Sequence, residues 1–324
     1  MSRLIQLSFA ALFFAGTAVL SEPLHAGEWP ERPVTIIVPF GAGGNTDMMA
    51  RLAAQHLSNK FGQSFIVENR ASAGGAIGTG QVATADPDGY TLLFSASANI
   101  TLTPQLQKLH FDPRTQLVPI TNVGTGTQMV AIKRSLPATT LPEFIAYAKA
   151  NPGKLNYTVA GTQNITHLGA ALLFKMAGID LVMVPAKAEP PAIADLIAGQ
   201  VEFYFGNSSS LLPHIANDQI RLIGVGTTKP IAAAPDIPPV SDTLPGFEAY
   251  EWNGVFVPHG TPAAIVRKLN AQLNVALASP DVQARFAQLN IVSRANTPQE
   301  FHAFVDEQMK LWSGVVKEAN IHLG

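Results

Sequence analysis

The chain has 324 residues, with 21 Lys+Arg against 23 Asp+Glu for a formal net charge of -2, 47% hydrophobic residues and no cysteine. That length accommodates two domains with full cores, and the apolar fraction excludes a disordered chain. A near-neutral balance with no Lys/Arg block lacks the footprint of a nucleic-acid binder, and the missing cysteines exclude disulfides, thiolate nucleophiles, iron–sulfur clusters and cysteine-held zinc.

In chain order, residues 1–26 have the layout of a secretory signal: Arg3 and the terminal amine, an apolar run over 4–20, then Leu24, His25 and Ala26 before the expected cut. An uncleaved anchor is the other reading. Gln6 and Ser8 inside the run and Pro23 after it favour cleavage, since a spanning helix needs about 20 mainly apolar residues. Without a twin arginine, the expectation is export of an unfolded chain, which disfavours a role requiring ATP or a nicotinamide cofactor.

The following region alternates β-branched runs with helical periodicity, the pattern of a parallel sheet flanked by helices. Strands are expected at Val34–Val38, 64–68, 90–95, 129–133, 155–159, 182–184, 202–205 and 221–226, and a helix at 47–60. Hydroxyl and proline punctuation at Thr140 with Pro142 and Glu143, at Thr261-Pro262, and at Thr297-Pro298 with Glu300 marks further helix starts. The proline-rich stretch 230–245 reads as a long surface connection. Trp252 and Trp312 read as core residues.

The sharpest local feature is Val38-Pro39-Phe40-Gly41-Ala42-Gly43-Gly44-Asn45-Thr46-Asp47: a strand, a glycine turn and a helix start. Glycines let backbone amides approach a ligand, and a helix N-terminus offers unpaired donors with partial positive charge, which suits an anion. A tight βα turn capped by Asn45 or Thr46, with Asp47 complementing the helix dipole, accounts for the same residues without a ligand. A dinucleotide site fits less well: Thr46 stands where the third fingerprint glycine belongs, although Glu68 ends the next strand where a ribose-binding acid would sit.

Polar clusters recur after other strands: Ser95, Ser97 and Asn99; 161–167; Lys187; and 207–210. Strand carboxyl ends are where open α/β sheets place ligands. Catalytic signatures are missing: there is no Gly-x-Ser-x-Gly elbow and no His-Glu-x-x-His, and the histidines are dispersed without metal-ligand spacing. His167, ahead of Leu168, Leu172 and Leu173, reads as a capping or packing residue.

Ordered blocks along nearly the whole chain after residue 26 resemble the solute-binding proteins of tripartite tricarboxylate transporters, the Bug family. They include Trp29-Pro30-Glu31-Arg32-Pro33, the glycine turn, Val67-Glu68-Asn69-Arg70, Pro87-Asp88-Gly89-Tyr90-Thr91-Leu92, Asp195-Leu196 with Gly199, Gly260-Thr261-Pro262 and Thr297-Pro298-Gln299-Glu300-Phe301. The resemblance implies a two-lobed α/β periplasmic binding protein of the Venus-flytrap kind, each lobe a mainly parallel sheet flanked by helices. Lobe one would comprise 27–126 and 249–324, and lobe two 127–248. It implies a periplasmic, monomeric, non-enzymatic protein without cofactor or metal, which captures a small organic carboxylate and passes it to membrane permease subunits.

Carried over by position, the contacts implied are Phe40, Gly43, Gly44 and Asp47 in the first loop, Ser97 after the third strand, Thr162, Gln163, Asn164 and Thr166 in lobe two, and Lys187 with Asn207. Three departures bear on specificity: Ala186 stands where the family often has an aromatic, Gly161-Thr162-Gln163-Asn164 replaces Gly-x-Gly-Ser, and Gly206 stands where an Asp is common before Asn207. Losing that acid removes a partner for a ligand ammonium and points to an acid without an amine. Losing the aromatic points to a longer or ring-bearing one. An exported enzyme and a sensor subunit using the same cleft are the alternatives.

Overall fold

A computed structural model describes residues 28–71, 75–160, 164–215 and 217–318. The expected signal segment and two expected contacts, Thr162 and Gln163, lie outside the described residues.

Strand β1 (Val34–Val38) leads through the glycine turn into α1 (Asn45–Phe61), then β2 (Phe65–Asn69), α2 (Ala76–Ala83) and β3 (Thr91–Ala96). The three strands pair in parallel in the order β2-β1-β3. Both faces of β1 are covered, which is why its sequence is a continuous apolar run: Val34, Ile36 and Val38 pack with Met49 and Leu57 of α1, while Ile37 packs with Leu93, Trp252 and Phe256 on the other side. Gly62 ends α1 with φ 68, a left-handed conformation that glycine adopts without strain.

A π turn (Ala98–Leu102) and the short helices α3 (Thr103–Leu106) and α4 (Pro113–Gln116) lead to β4 (Leu117–Lys133), much longer than the 129–133 expected. Its first part contains Pro119, Gly124 and Gly126, and its pairing is irregular between Pro119 and Thr121 and between Asn122 and Gly124. Such bulge-formers hide a strand from periodicity. α5 (Leu141–Ala150), β5 (Asn156–Ala160), α6 (Ile165–Ala177), β6 (Val182–Ala186), α7 (Glu189–Ala198), β7 (Phe203–Asn207), α8 (Ser208–Ile215) and β8 (Ile220–Val225) build a second set, with β5 parallel to β6 and β7.

The chain then returns: β9 (Tyr250–Pro258), α9 (Ala263–Ala278), α10 (Pro280–Gln288), β10 (Ile291–Ser293) and α11 (Pro298–Glu318). β9, absent from the sequence expectation, runs antiparallel between β3 and the first part of β4, and β10 pairs antiparallel on β4. The second part of β4 pairs antiparallel with β7 and β8. The α/β class therefore stands, but the sheets are mixed and not mainly parallel, because β4 and the returning β9 run against the strands they join.

The stretch 230–245 runs mostly over the surface, as expected, but Val240 inserts into the second core, where Phe247, just beyond the stretch, is also buried with Phe205 and Leu141. α11 divides its apolar side chains. Phe301 and Val305 pack with Trp252 and Phe256, whereas Trp312 is buried in the second core, which Ala98 and Leu102 also enter. At its start Thr297 and Glu300 form the reciprocal cap expected: Glu300 N–H donates to the Thr297 hydroxyl at 3.2 Å, and Thr297 N–H to the Glu300 carboxylate at 2.8 Å. No helix among the described residues is long and apolar enough to cross a membrane.

Candidate functional site

The glycine turn is organised by Asp47. Its carboxylate accepts from Gly43 N–H at 2.9 Å, from Arg51 Nε at 3.0 Å and from Asn69 Nδ2 at 2.9 Å, and Asn69 also donates to the carbonyl of Phe40 at 3.1 Å. Burial by itself would raise the Asp47 pKa, but the hydrogen bonds from Arg51, Gly43 and Asn69 outweigh it and hold the group below the usual carboxylate value. Asp47, expected as a ligand contact, is thus spent inside the protein on shaping the loop. Gly43 has φ 87, which favours glycine, and no atom lies within 4 Å of a Cβ built on Gly41, Gly43 or Gly44, so the loop has open space beside it. Phe40 is half-buried against the core below.

From this loop a ladder of rungs runs along β4. Asn253 of β9 lies opposite Gly124 on one side and Ala96 of β3 on the other, Glu251 lies opposite Gly126, and Asn207 lies opposite Gln128. At a strand rise of about 3.3 Å per residue, about 13 Å separates the first rung from the last. Side chains alternate across a strand, so Glu251 shares a face of β9 with Asn253, which accepts from the Thr46 hydroxyl at 2.8 Å, while Trp252 points into the core behind. Next to Ala96, Ser97 is buried and its hydroxyl has no hydrogen-bond partner; nearby Asn99, packed against Gly75, has an unpartnered Nδ2.

At the far rung a connected polar network stands. Glu189, in the first turn of α7, accepts from Asn207 N–H at 3.1 Å, Asn207 Nδ2 at 2.7 Å, the Tyr204 hydroxyl at 3.0 Å and the Ser210 hydroxyl. Gln128, fully buried, donates from Nε2 to Asn207 Oδ1 at 2.6 Å and leaves its own Oε1 without a partner. Burial, and secondarily the charge of Glu189, pushes the Glu251 pKa up to about 7. Burial and Glu189 also raise Tyr204, which stays a neutral donor.

Among the expected lobe-two contacts, Asn164 caps α6: its Oδ1 accepts from His167 N–H at 3.1 Å and from the Thr166 hydroxyl at 2.7 Å, and its Nδ2 donates to the Ala160 carbonyl at 2.8 Å. Asn164 and Thr166 are therefore occupied with each other and with the helix start. Lys187 is exposed beyond β6, and no ion pair holds it among the described residues. Burial lowers the His167 pKa, in keeping with a packed residue.

Sequence reasoning missed Gln128, Glu189, Glu251 and Asn253. Gln128 and the two β9 residues lie on strand segments that periodicity did not reveal, and Glu189 read as an ordinary first-turn acid. Position 206 carries no acid, and the carboxylate beside Asn207 is that of Glu189. A cavity of about 1310 Å³ lies elsewhere, lined by Tyr250, Glu248, Arg294, Asn296 and Phe304 along β10. No cluster of three or more metal-ligating side chains occurs among the described residues.

Residues 49–321 match the family described as tripartite tricarboxylate transporter family receptor. The chain belongs to that family. Among solved structures it is similar to Rpa4515 of R. palustris with adipate, at 32% identity and TM-score 0.80, covering 91% of this chain and 99% of that one. It is similar to the periplasmic binding protein BugD, at 33% identity and TM-score 0.76 over 91% and 99%. It also resembles MatC from Rhodopseudomonas palustris with bound malate, at 30% identity and TM-score 0.76 over 89% and 100%. The Bug resemblance and the α/β binding-protein fold read from sequence are both borne out. Tripartite tricarboxylate transporter receptors are solute-binding proteins and not enzymes, which retires the exported-enzyme alternative.

Proposed function

We propose that this receptor captures a small organic carboxylate in a cleft between two lobes, 27–126 with 249–324 and 127–248, and presents it to the membrane subunits of a tripartite transporter. It would do so as a monomer in the periplasm, exported by the signal in residues 1–26. The observation that carries the reading is the glycine turn: three glycines with open space beside them, pinned by Asp47 at the N-terminus of α1, with the unsatisfied hydroxyl of Ser97 just past the end of the neighbouring strand β3. Backbone amides and hydroxyls can bind a carboxylate without a full opposing charge, in keeping with a chain in which only 14% of residues are charged. The adipate and malate in the two relatives support the ligand class. Phe40, Gly43, Gly44 and Ser97 would meet the acid from one lobe, and Thr162, Gln163 and Lys187 from the other, with Asn207 held behind them by Glu189 and Gln128. Ala186 in place of an aromatic leaves room for a longer or ring-bearing acid.

The test is a thermal-shift and calorimetric screen of mono-, di- and tricarboxylates, amino acids and aromatic acids on the purified protein. A true ligand at 100 times its Kd stabilises by about 2.7 kcal/mol, which a melting curve resolves. A screen in which no acid binds overturns the proposal.

A further inference from the structure

Resting on the two-lobed cleft reading, we propose that Glu248 and Arg294 form a latch between the lobes: across a groove on the far side of the hinge they pair while the cleft is open, and they part when it closes on a ligand.

The strand order puts groove and cleft on opposite sides of the hinge. β4 passes unbroken from one sheet into the other, pairing first with β9 and β10 and then with β7 and β8. In the first sheet β9 and β4 stand between β3 and β10, and in the second β4 stands between β8 and the β7-β5-β6 set. The expected ligand contacts sit at the ends of β1, β3, β5, β6 and β7, on one flank. The groove of about 1310 Å³ takes its walls from the other: Thr228 and 231–233 after β8, with Glu248 and Tyr250, facing α10, β10 and the loop to Asn296. It shares no residue with the expected contacts. Lobes that turn about β4 and β9 to narrow the cleft must therefore widen the groove, and the reverse.

Charge and shape fit a latch. Glu248 and Arg294 line the groove from different lobes, Glu248 at the end of 127–248 and Arg294 directly after β10. With the groove as wide as it stands here, neither is in an ion pair among the described residues. Burial raises the Glu248 pKa, and a hydrogen bond with Tyr250 and the charge of Arg294 work against it, so the arginine is already within electrostatic reach. Ala232 and Ala233 on one wall and Ala287 and Ala295 on the other carry little bulk to keep the walls apart. A half-buried carboxylate and a guanidinium gain as they approach, which favours the narrow groove and with it the open cleft. A ligand then binds a form that only a fraction of the molecules adopt, and its apparent affinity is reduced by that fraction.

The experiment reads the groove and the affinity separately. The chain has no cysteine, so nitroxide labels on Lys229→Cys and Ala284→Cys, exposed on the two sides of the groove, report its width by pulsed dipolar spectroscopy. In the ligand-free labelled protein the shorter distance should dominate, and adding Arg294→Ala should move the distribution to the longer one. In calorimetry with adipate as the probe, Arg294→Ala should bind about two- to fivefold tighter, the modest size expected of a pair with one exposed member. Glu248→Gln should act in the same direction, and the exchanged pair Glu248→Arg with Arg294→Glu should return both readings toward the wild type. Glu248 also bonds Tyr250, so melting curves check each variant; if the Glu248 variants unfold, Arg294→Ala decides. Unchanged label distances in Arg294→Ala, or adipate bound equally or more weakly by it, overturn the inference while the carboxylate reading stands. Failure of every acid to bind removes the carboxylate reading, and the ligand-free distances then decide the latch by themselves.

Discussion

The ring of Tyr204 fills the space beside Gly206: a Cβ built on the glycine would lie 2.1 Å from it. Tyr204 is fully buried and its hydroxyl donates to Glu189 at 3.0 Å, so the ring cannot swing away without losing both its packing and that bond. The two positions therefore exclude a side chain at 206 as long as the acid comes from 189.

Gly206→Ala, and still more Gly206→Asp, should destabilise the protein by about 1–3 kcal/mol through overpacking. The midpoint of urea unfolding measures this. A Gly206→Asp protein as stable as the wild type would mean that the tyrosine relocates freely.

Asp47 has a folded pKa below its ordinary 3.8. Its stabilisation is therefore fully present above pH 3.8 and is lost as pH falls through the lower folded value. Asp47→Asn should be less stable than the wild type at neutral pH by about 1–3 kcal/mol, with the gap closing in acid. Melting temperatures of the two proteins across pH 2 to 7 test the sign; parallel curves would contradict it.

Glu251 behaves oppositely. Its folded pKa of about 7 lies above its ordinary 4.5, so its contribution is fully present below pH 4.5 and is lost as pH rises through about 7. Glu251→Gln, which cannot ionise, should lack this component of the pH dependence. Stability profiles that superimpose through that window would show that the glutamate is not held protonated.

Gly44 has φ -77 and open space where a side chain would go. Gly44→Phe should therefore leave the melting temperature within a few degrees of the wild type while weakening the best ligand of the screen by at least about tenfold, because bulk blocks the approach to the amides. Unchanged affinity would remove the loop from the site. Gly43→Ala, at φ 87, should by contrast cost about 1 kcal/mol of stability.

Trp312 sits near the C-terminal end of α11, in a core otherwise built from residues 98–249. Trp312→Ala should cost about 3–5 kcal/mol, read from chemical unfolding. A loss of less than about 1 kcal/mol would mean that α11 is only draped over the second core.

Much of the fold was legible because its signals are local. Val34–Val38 announces a strand covered on both faces, the glycine turn and Asp47 announce the start of α1, and Thr297 with Glu300 announces α11; each depends on residues only a few positions apart. The site was less legible. Of the expected contacts, Asp47, Asn164 and Thr166 proved to be tied up in shaping the loop and capping α6, since the same residue types that bind ligands also serve as caps and turn formers.

The sequence by itself determined the class, the order of most elements and the glycine turn, all of which follow from short-range pattern, and its ordered blocks carried the resemblance to the family. Only the tertiary structure decided the length of β4, the place of β9, the division of α11 between two cores and the hydrogen-bonded network of Gln128, Asn207 and Glu189. Those depend on partners far apart in the chain, 207 positions for Thr46 with Asn253 and 79 for Gln128 with Asn207, and no local periodicity records which distant strand will lie alongside.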